Sequence, residues 1–380
     1  LPRHSGTQDF CILTDFVIIA QVVCMLLDFI SHILNDLASI ERLQSSIIAI
    51  FLVCLFGAIF GSPLTNNANP FLWTVLDRLI GSVGRKTYNT NRSLNSLVFR
   101  GGLLFIVYLV VICLIVVGIV WVKDILPLEG FMEPFLLTLV LVGGASWSSL
   151  LKLHRAIEAE EKKQSSKTIP SNLPQGSFYD IAVSTRTNLN TTDTHGIIRG
   201  GIGYSASSFD KGMIAPLFWY LVGGLPAAFI YSGIAAARWG LAKEGFSKGI
   251  GIVPLKIEKC LGSIPQLLTA LFLTIAAAAT PSSRVTRSVM GIVSREGYAP
   301  YAEGGLPVTV TAWGLGISLG GPVEDSDGSV LKRAWVGSKT STAKAEKHHL
   351  RIAIYQNIMA HIFVLLALFI GLVAWRFSSI

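Results

Sequence analysis

Residues 210–231 read Asp210-Lys-Gly-Met-Ile-Ala-Pro216-Leu-Phe-Trp219-Tyr-Leu-Val-Gly223-Gly224-Leu-Pro226-Ala-Ala-Phe-Ile-Tyr231. The run is apolar and long enough to enter a bilayer, yet Pro216, Gly223, Gly224 and Pro226 interrupt helical hydrogen bonding. Backbone groups freed inside hydrocarbon must find partners in neighbouring helices or in a polar cavity. A broken membrane helix beside a polar loop is therefore read as a candidate binding-site wall. The plainer reading is a Pro-kinked structural helix.

The rest of the chain agrees with a membrane class. It is 51% hydrophobic and 14% charged, with a mean hydropathy of +0.58, outside the range of ordinary soluble domains. Residues 103–122 form an uninterrupted apolar run of the length one span requires. Residues 357–375 form a second, ending at the interfacial pair Trp375-Arg376. Residues 132–151 are a third candidate, carrying Glu133 and the small residues Gly143, Gly144, Ala145 and Ser146 that allow close helix approach. Residues 264–280 and 47–60 are shorter candidates. The expectation is an all-α polytopic membrane protein of about five spans, one of them Pro/Gly-broken or re-entrant. Polar cytoplasmic segments are expected at 152–211 and 282–355, and a strand-like Gly-rich piece at Val308–Gly321.

Residues 1–46 read as an N-terminal extension and 47–380 as one membrane-embedded domain. The apolar run 16–34 contains Asp28 and His32 and suggests an amphipathic interfacial helix. No small-residue cleavage site marks it as a cleaved signal.

Charge placement orients the chain. Arg78, Arg85, Lys86, Arg92 and Arg100 precede the 103–122 run, which places that loop in the cytoplasm. A crossing and return then put 152–211 on the same side, with Lys152, Arg155, Lys162, Lys163 and Lys167. One full crossing at 212–237 would export Arg238, Lys243, Lys248, Lys256 and Lys259. A hairpin turning at Gly223-Gly224 keeps them inside. The net charge of +8 thus reflects positive-inside bias and contact with anionic lipid. Nucleic-acid binding is not indicated, because the basic residues border spans without interleaved aromatics.

Several smaller signals fall away. The five cysteines are odd in number and form no CxxC pair, so neither zinc nor a disulfide framework is indicated. His348 and His349 are adjacent on a helix and diverge by about 100°, which suits a solvated face better than a metal. Glu324-Asp325-Ser326-Asp327-Gly328 lacks the ligand spacing of a calcium loop. Gly200-Gly201-Ile202-Gly203 is not followed by Lys-Ser/Thr, so it is not a phosphate loop.

Ala215-Pro216-Leu217-Phe218-Trp219, Gly224-Leu225-Pro226-Ala227 and Tyr231 carry a likeness that extends along the chain. Arg199, Ile202 and Asp193 continue it upstream. Gly305-Leu306-Pro307, Gly320-Gly321-Pro322, Gly328 and Gly337 continue it downstream. Gly61-Ser62-Pro63, Asn69-Pro70 and Arg78-Leu79-Ile80-Gly81 extend it toward the start. Over roughly residues 50–375 the sequence resembles the membrane-bound adenosylcobinamide-phosphate synthases of cobalamin biosynthesis. The polar motifs of that family depart here: its Ala-Glu-Asn falls on Ala206-Ser207-Ser208, and an earlier Glu on Gly203. Its Asn-Thr-Leu-Asp falls on Ala235-Ala236-Ala237-Arg238, a paired Asp-Asp on Glu258-Lys259, and an Asn on Glu303.

The resemblance implies ATP-dependent ligation of a corrinoid carboxylate, adenosylcobyric acid, to aminopropanol phosphate, in the bacterial inner (cytoplasmic) membrane. That chemistry calls for cations on phosphates and acids for Mg²⁺. Asp210, Asp193 and Glu303 are the candidate catalytic acids. Arg186, Arg199 and Lys211 are the candidate phosphate-binding cations, with Pro216, Trp219, Gly305 and Pro307 lining the substrate. No metal-binding side-chain set is predicted. The bland readings are juxtamembrane charges for the arginines and a helix N-cap for Asp210. The alternative function is a catalytically silent relative with a structural, assembly or corrinoid-binding role and membrane-protein partners. A permease would show inverted repeats, and none is evident.

Overall fold

The computed structural model describes residues 39–61, 67–81, 83, 93–125, 130–164, 173, 175–190, 192–241, 249–294, 296–325 and 330–378. The 16–34 run and the calcium-like turn at 326–328 fall outside the described residues. In chain order the helices are α1 (Ile40–Phe60), α2 (Phe71–Leu76), α3 (Leu94–Ile125), α4 (Met132–Thr138), α5 (Gly144–Gln164) and α6 (Gln175–Thr185). They continue with α7 (Thr194–Phe209), α8 (Ala215–Leu241), α9 (Ile252–Ala278), α10 (Val285–Val293), α11 (Gly305–Leu315) and α12 (Lys347–Ser378). Five helical segments are long and apolar enough to cross a membrane: 40–60, 94–122, 194–241, 249–278 and 347–377. Exposed Phe51, Ile59, Leu114, Val117, Leu267 and Phe369 lie along these segments, as a lipid-facing surface requires. The chain is a polytopic, predominantly helical membrane protein.

The segment 194–241 folds as the opening run suggests. A π-helical turn at Asp210–Ile214 joins α7 to α8. Helical geometry then fails at Gly223 (φ −134°, ψ 20°) and Gly224 (φ 67°, ψ −163°). The positive φ of Gly224 is one that residues with a Cβ adopt only with strain, and Pro226 suits the first turn of the leg that follows. Lys211 and Arg238 would stand about 40 Å apart on a straight helix. Both instead reach the carboxylate of Glu258, at 2.7 Å and 3.5 Å. The chain doubles back, so Lys211 and Arg238, at opposite ends of this segment, meet on one side.

Two sequence expectations are corrected. Residues 132–151 are not one span: α4 ends at Thr138, and Leu139–Gly143 run irregularly to α5. There the Val142 N–H donates to the Gly212 carbonyl at 2.7 Å, and the Leu139 carbonyl accepts from the Leu72 N–H at 3.0 Å. Irregular backbone is stable at this depth because protein, not lipid, surrounds it. Gly143 and Gly144 are small because α1 lies directly against them. A side chain on Gly144 would strike the Cys54 and Ala58 backbone.

The second correction concerns Val308–Gly321. This Gly-rich piece is expected to be strand-like, but residues 305–315 are helical. Val308 through Ala312 are buried on every side, so no solvated face enforces a two-residue period, and Pro307 fits a first helical turn. Strand structure begins only at β2 (Leu319–Asp325), which pairs antiparallel with β3 (Val330–Val336) and with the short β1 (Thr187–Asn188). This three-stranded sheet is an addition to the all-α expectation.

Candidate functional site

α7 presents one face to a cavity of about 160 Å³. Gly196, Gly200, Gly203, Ser207 and Lys211 recur at helical spacing along that wall, as residues three and four apart must. Arg199 stands on the same face. Arg238 from α8, Glu303 from the Tyr301–Glu303 turn and Arg333 from β3 complete the charged lining among the described residues. No heavy atom lies within 4 Å of where a Cβ on Gly203 would stand. At Gly203 the wall is therefore open among the described residues, whereas Gly196 is packed against Thr192 and Asp193.

Beneath the Lys211 end lies a buried ion cluster. Asp210 and Glu258 are each 0% exposed. The Lys211 ammonium stands 3.2 Å from Asp210 Oδ2 and 2.7 Å from Glu258 Oε1. It also donates to the Tyr301 hydroxyl and lies 4.0 Å from the centre of that ring. Tyr301 in turn donates to Glu258 Oε1 at 2.7 Å, and Tyr231 does so at 3.3 Å. Burial and the Glu258 charge push the Tyr301 phenol well above its usual range, so it stays a donor. Arg238 reaches Glu258 Oε2 at 3.5 Å and donates to the Ala302 carbonyl at 2.7 Å. Thr269 donates to Asp210 Oδ1 at 3.0 Å. Two acids and two bases thus cancel one another, as buried charges must to be tolerated.

The sequence-derived acids do not converge. Asp193 caps α7, accepting from the Gly196 N–H at 2.8 Å, and its neighbour Arg199 lies 4.0 Å away. Asp210 lies seventeen positions further along the same helix, about 25 Å at 1.5 Å per residue. It is not an N-cap either, since helix precedes it. Of the three, Glu303 lines the cavity, and its Oε2 accepts from the Ala334 N–H at 3.1 Å.

Among the cations, Lys211 and Arg199 face the cavity. Arg199 donates to the Ala343 carbonyl at 2.6 Å and lies over the Trp335 ring. Arg186 is engaged elsewhere: it donates to Asp77 at 2.6 Å and the Gly240 carbonyl at 3.0 Å, and stacks on Trp239. Trp219 donates to the Leu261 carbonyl at 3.3 Å and stacks on Tyr231. Pro216 is buried in α8 near the start of the hairpin. Gly305 packs against Gln266, and Pro307 is buried in α11. None of these four is among the residues that line the cavity. Glu258, Arg238, Tyr301 and Tyr231 were missed as site residues. The available signal was an acid and a base set inside apolar helices, where ionisable groups are costly.

Among the described residues no three His, Cys, Asp or Glu side chains converge as a metal site. For Mg²⁺ carried by a nucleotide, one or two protein carboxylates suffice beside phosphate and water oxygens. Glu303 fits that role on the described cavity wall, and the cations fit phosphates.

Fold and site together define a polytopic membrane protein with a polar, Gly-lined cavity resting on a buried ion cluster. The chain belongs to the CobD/Cbib protein family, which matches residues 50–355. It is 25% identical over 289 residues to the cobalamin biosynthesis protein CobD of Brucella suis biovar 1, covering 74% of this chain and 83% of that one. It is 28% identical over 246 residues to the protein of the same name from Brucella anthropi, covering 63% and 71%. The Rhodobacter capsulatus protein of that name is 28% identical over 244 residues, covering 63% and 73%. No solved structure matches.

Proposed function

We propose that this chain acts in cobalamin biosynthesis at the bacterial inner membrane, as a ligase of the adenosylcobinamide-phosphate synthase type. The observation that carries this reading is the cavity wall: Arg199, Lys211, Arg238 and Arg333 face the same space as Glu303, the one acid among the described lining residues. Such a wall suits phosphate-bearing ligands, aminopropanol phosphate and ATP, in a reaction that joins the amine to a carboxylate of adenosylcobyric acid. Bound ATP and Mg²⁺ would supply the activated phosphoryl group and neutralise its charge. Arg199 and Lys211 would bind the phosphates. The small residues Gly200 and Gly203 let a ligand lie close to the α7 backbone. Glu303 would ligate Mg²⁺. Fixed donors of this kind stabilise developing charge without reorganising.

A second reading has its own support. Asp193 and Asp210 are about 25 Å apart along one helix, and Asp210 is spent on Lys211 and Thr269. A chain whose acids serve caps and ion pairs fits a silent, corrinoid-binding or assembly subunit with membrane-protein partners.

Complementation separates the two. The gene is expressed in a bacterium lacking its own synthase and fed cobyric acid, with growth dependent on cobalamin. The ligase reading expects growth from the wild type and its loss in Arg199→Ala and Glu303→Gln at equal membrane abundance. No growth from well-expressed wild type transfers the role to the silent subunit.

A further inference from the structure

Lys211 and Arg238 both line the cavity, yet both side chains turn onto Glu258, which lies behind the wall and is 0% exposed. Glu258 Oε1 accepts Lys211 at 2.7 Å, and Oε2 stands 3.5 Å from Arg238. Two cations converging on one planar, two-oxygen anion are the arrangement that recognises a phosphate or carboxylate. We propose that Lys211 and Arg238 form an anion-binding subsite of the cavity, filled at rest by the chain's own Glu258 carboxylate. A phosphate group of a ligand replaces it.

Three features make the exchange feasible. Lys211 is a flexible four-carbon stem ending in a point charge, so it can turn between two anions without backbone movement. When the cations turn outward, Glu258 keeps the hydroxyls of Tyr231 and Tyr301, which already donate to Oε1 at 3.3 Å and 2.7 Å. Glu258 thus keeps donors on Oε1, and Asp210, which also gives up Lys211, keeps Thr269 on Oδ1 at 3.0 Å. Space for the incoming group lies beside the open Gly203 wall, where Ser207 also faces the cavity. At rest the four-charge cluster is neutral, so these two cations offer an anion little net attraction until Glu258 is displaced. The phosphate-binding reading given above is extended by this subsite, but its test does not depend on catalysis.

The probe is inorganic pyrophosphate, with binding measured by calorimetry on the purified full chain in detergent. Glu258→Gln keeps the shape of the side chain and removes the competing charge. Its affinity should rise about tenfold over wild type, the size of one favourable charge contact. Adding Lys211→Met to Glu258→Gln should abolish the gain. Glu258→Asp, still anionic but one methylene shorter, should fall between wild type and Glu258→Gln, and it serves if the glutamine variant does not fold. Equal or weaker binding in both Glu258 variants, or a gain that survives Lys211→Met, overturns the subsite. Wild type that does not bind, with Glu258→Gln that binds through Lys211, supports the subsite while removing support for resting-state phosphate binding.

Discussion

Arg42, near the start of α1, donates to the carbonyl of Leu221 at 3.1 Å and reaches that of Val222 at 3.5 Å. These are the carbonyls that the break at Gly223-Gly224 releases from helical bonding. A guanidinium has donors for two acceptors in a fixed fork, and so closes the hairpin tip where backbone cannot. Replacing Arg42 with Met keeps most of the apolar stem and strands both acceptors. We expect a loss of about 1–3 kcal/mol, read as a lower unfolding temperature in detergent. Arg42→Lys should recover part of it. An Arg42→Met protein as stable as wild type would place the tip carbonyls in contact with water instead.

The cap at Asp193 separates a structural from a catalytic role. Its side chain satisfies the Gly196 N–H at the start of α7, and loss of such a cap costs about 1 kcal/mol. Asp193→Ala should therefore lower stability by about that amount and leave ligand binding per folded molecule unchanged. Asp193→Ser, which caps as well, should restore it. A loss of function that Asp193→Ser does not rescue would return Asp193 to the chemistry.

Much of this fold was legible, and its failures have physical causes. Gly223-Gly224-Leu225-Pro226 announced a break, because few other reasons put those residues inside an apolar run. The charges after Arg238 required the chain to return. Both arguments are local or additive, and the hairpin follows from them. The span at 132–151 was misread because hydropathy is blind to Leu139–Gly143, whose backbone bonds to Gly212 and Leu72 from distant segments. Val308–Gly321 was misread because burial on all sides erases the pattern that separates helix from strand. The ion cluster depends on α7, α8, α9 and the Tyr301 turn meeting at one point. Glu258 and Arg238 looked like substitutions in a familiar frame, and only the tertiary fold pairs them.

Glu303 gives the site a pH signature. Burial pushes its carboxyl above the ordinary value of 4.5, while the Ala334 N–H and the Arg333 charge act in the opposite direction. The folded state therefore holds the Glu303 proton more tightly than the unfolded chain does. Its stabilising contribution is complete below the unfolded value and is lost as pH rises through the elevated folded value. Glu303→Gln resembles the neutral form at every pH. The unfolding temperature of wild type relative to Glu303→Gln should fall from about pH 4 upward and level off above the folded value. Parallel curves would mean that Glu303 titrates as an exposed acid.

Two glycines on neighbouring helices should respond in opposite ways to the same added methyl group. Gly144 meets the backbone of α1, where a Cβ would clash with Cys54 and Ala58. Backbone on both sides cannot yield as a flexible side chain does, so Gly144→Ala should cost about 1–3 kcal/mol or more and reduce the amount of folded protein in the membrane. Gly203 meets nothing within 4 Å. An alanine there also improves helix propensity by about 1 kcal/mol, so Gly203→Ala should fold at least as well as wild type. Its methyl group projects into the cavity, however, beside Ser207 and the Lys211 end. Pyrophosphate affinity should drop in Gly203→Ala and drop further in Gly203→Leu, while unfolding temperature holds or rises. If both variants bind as wild type does, the ligand does not use this wall of α7, and the candidate site must lie elsewhere on the chain.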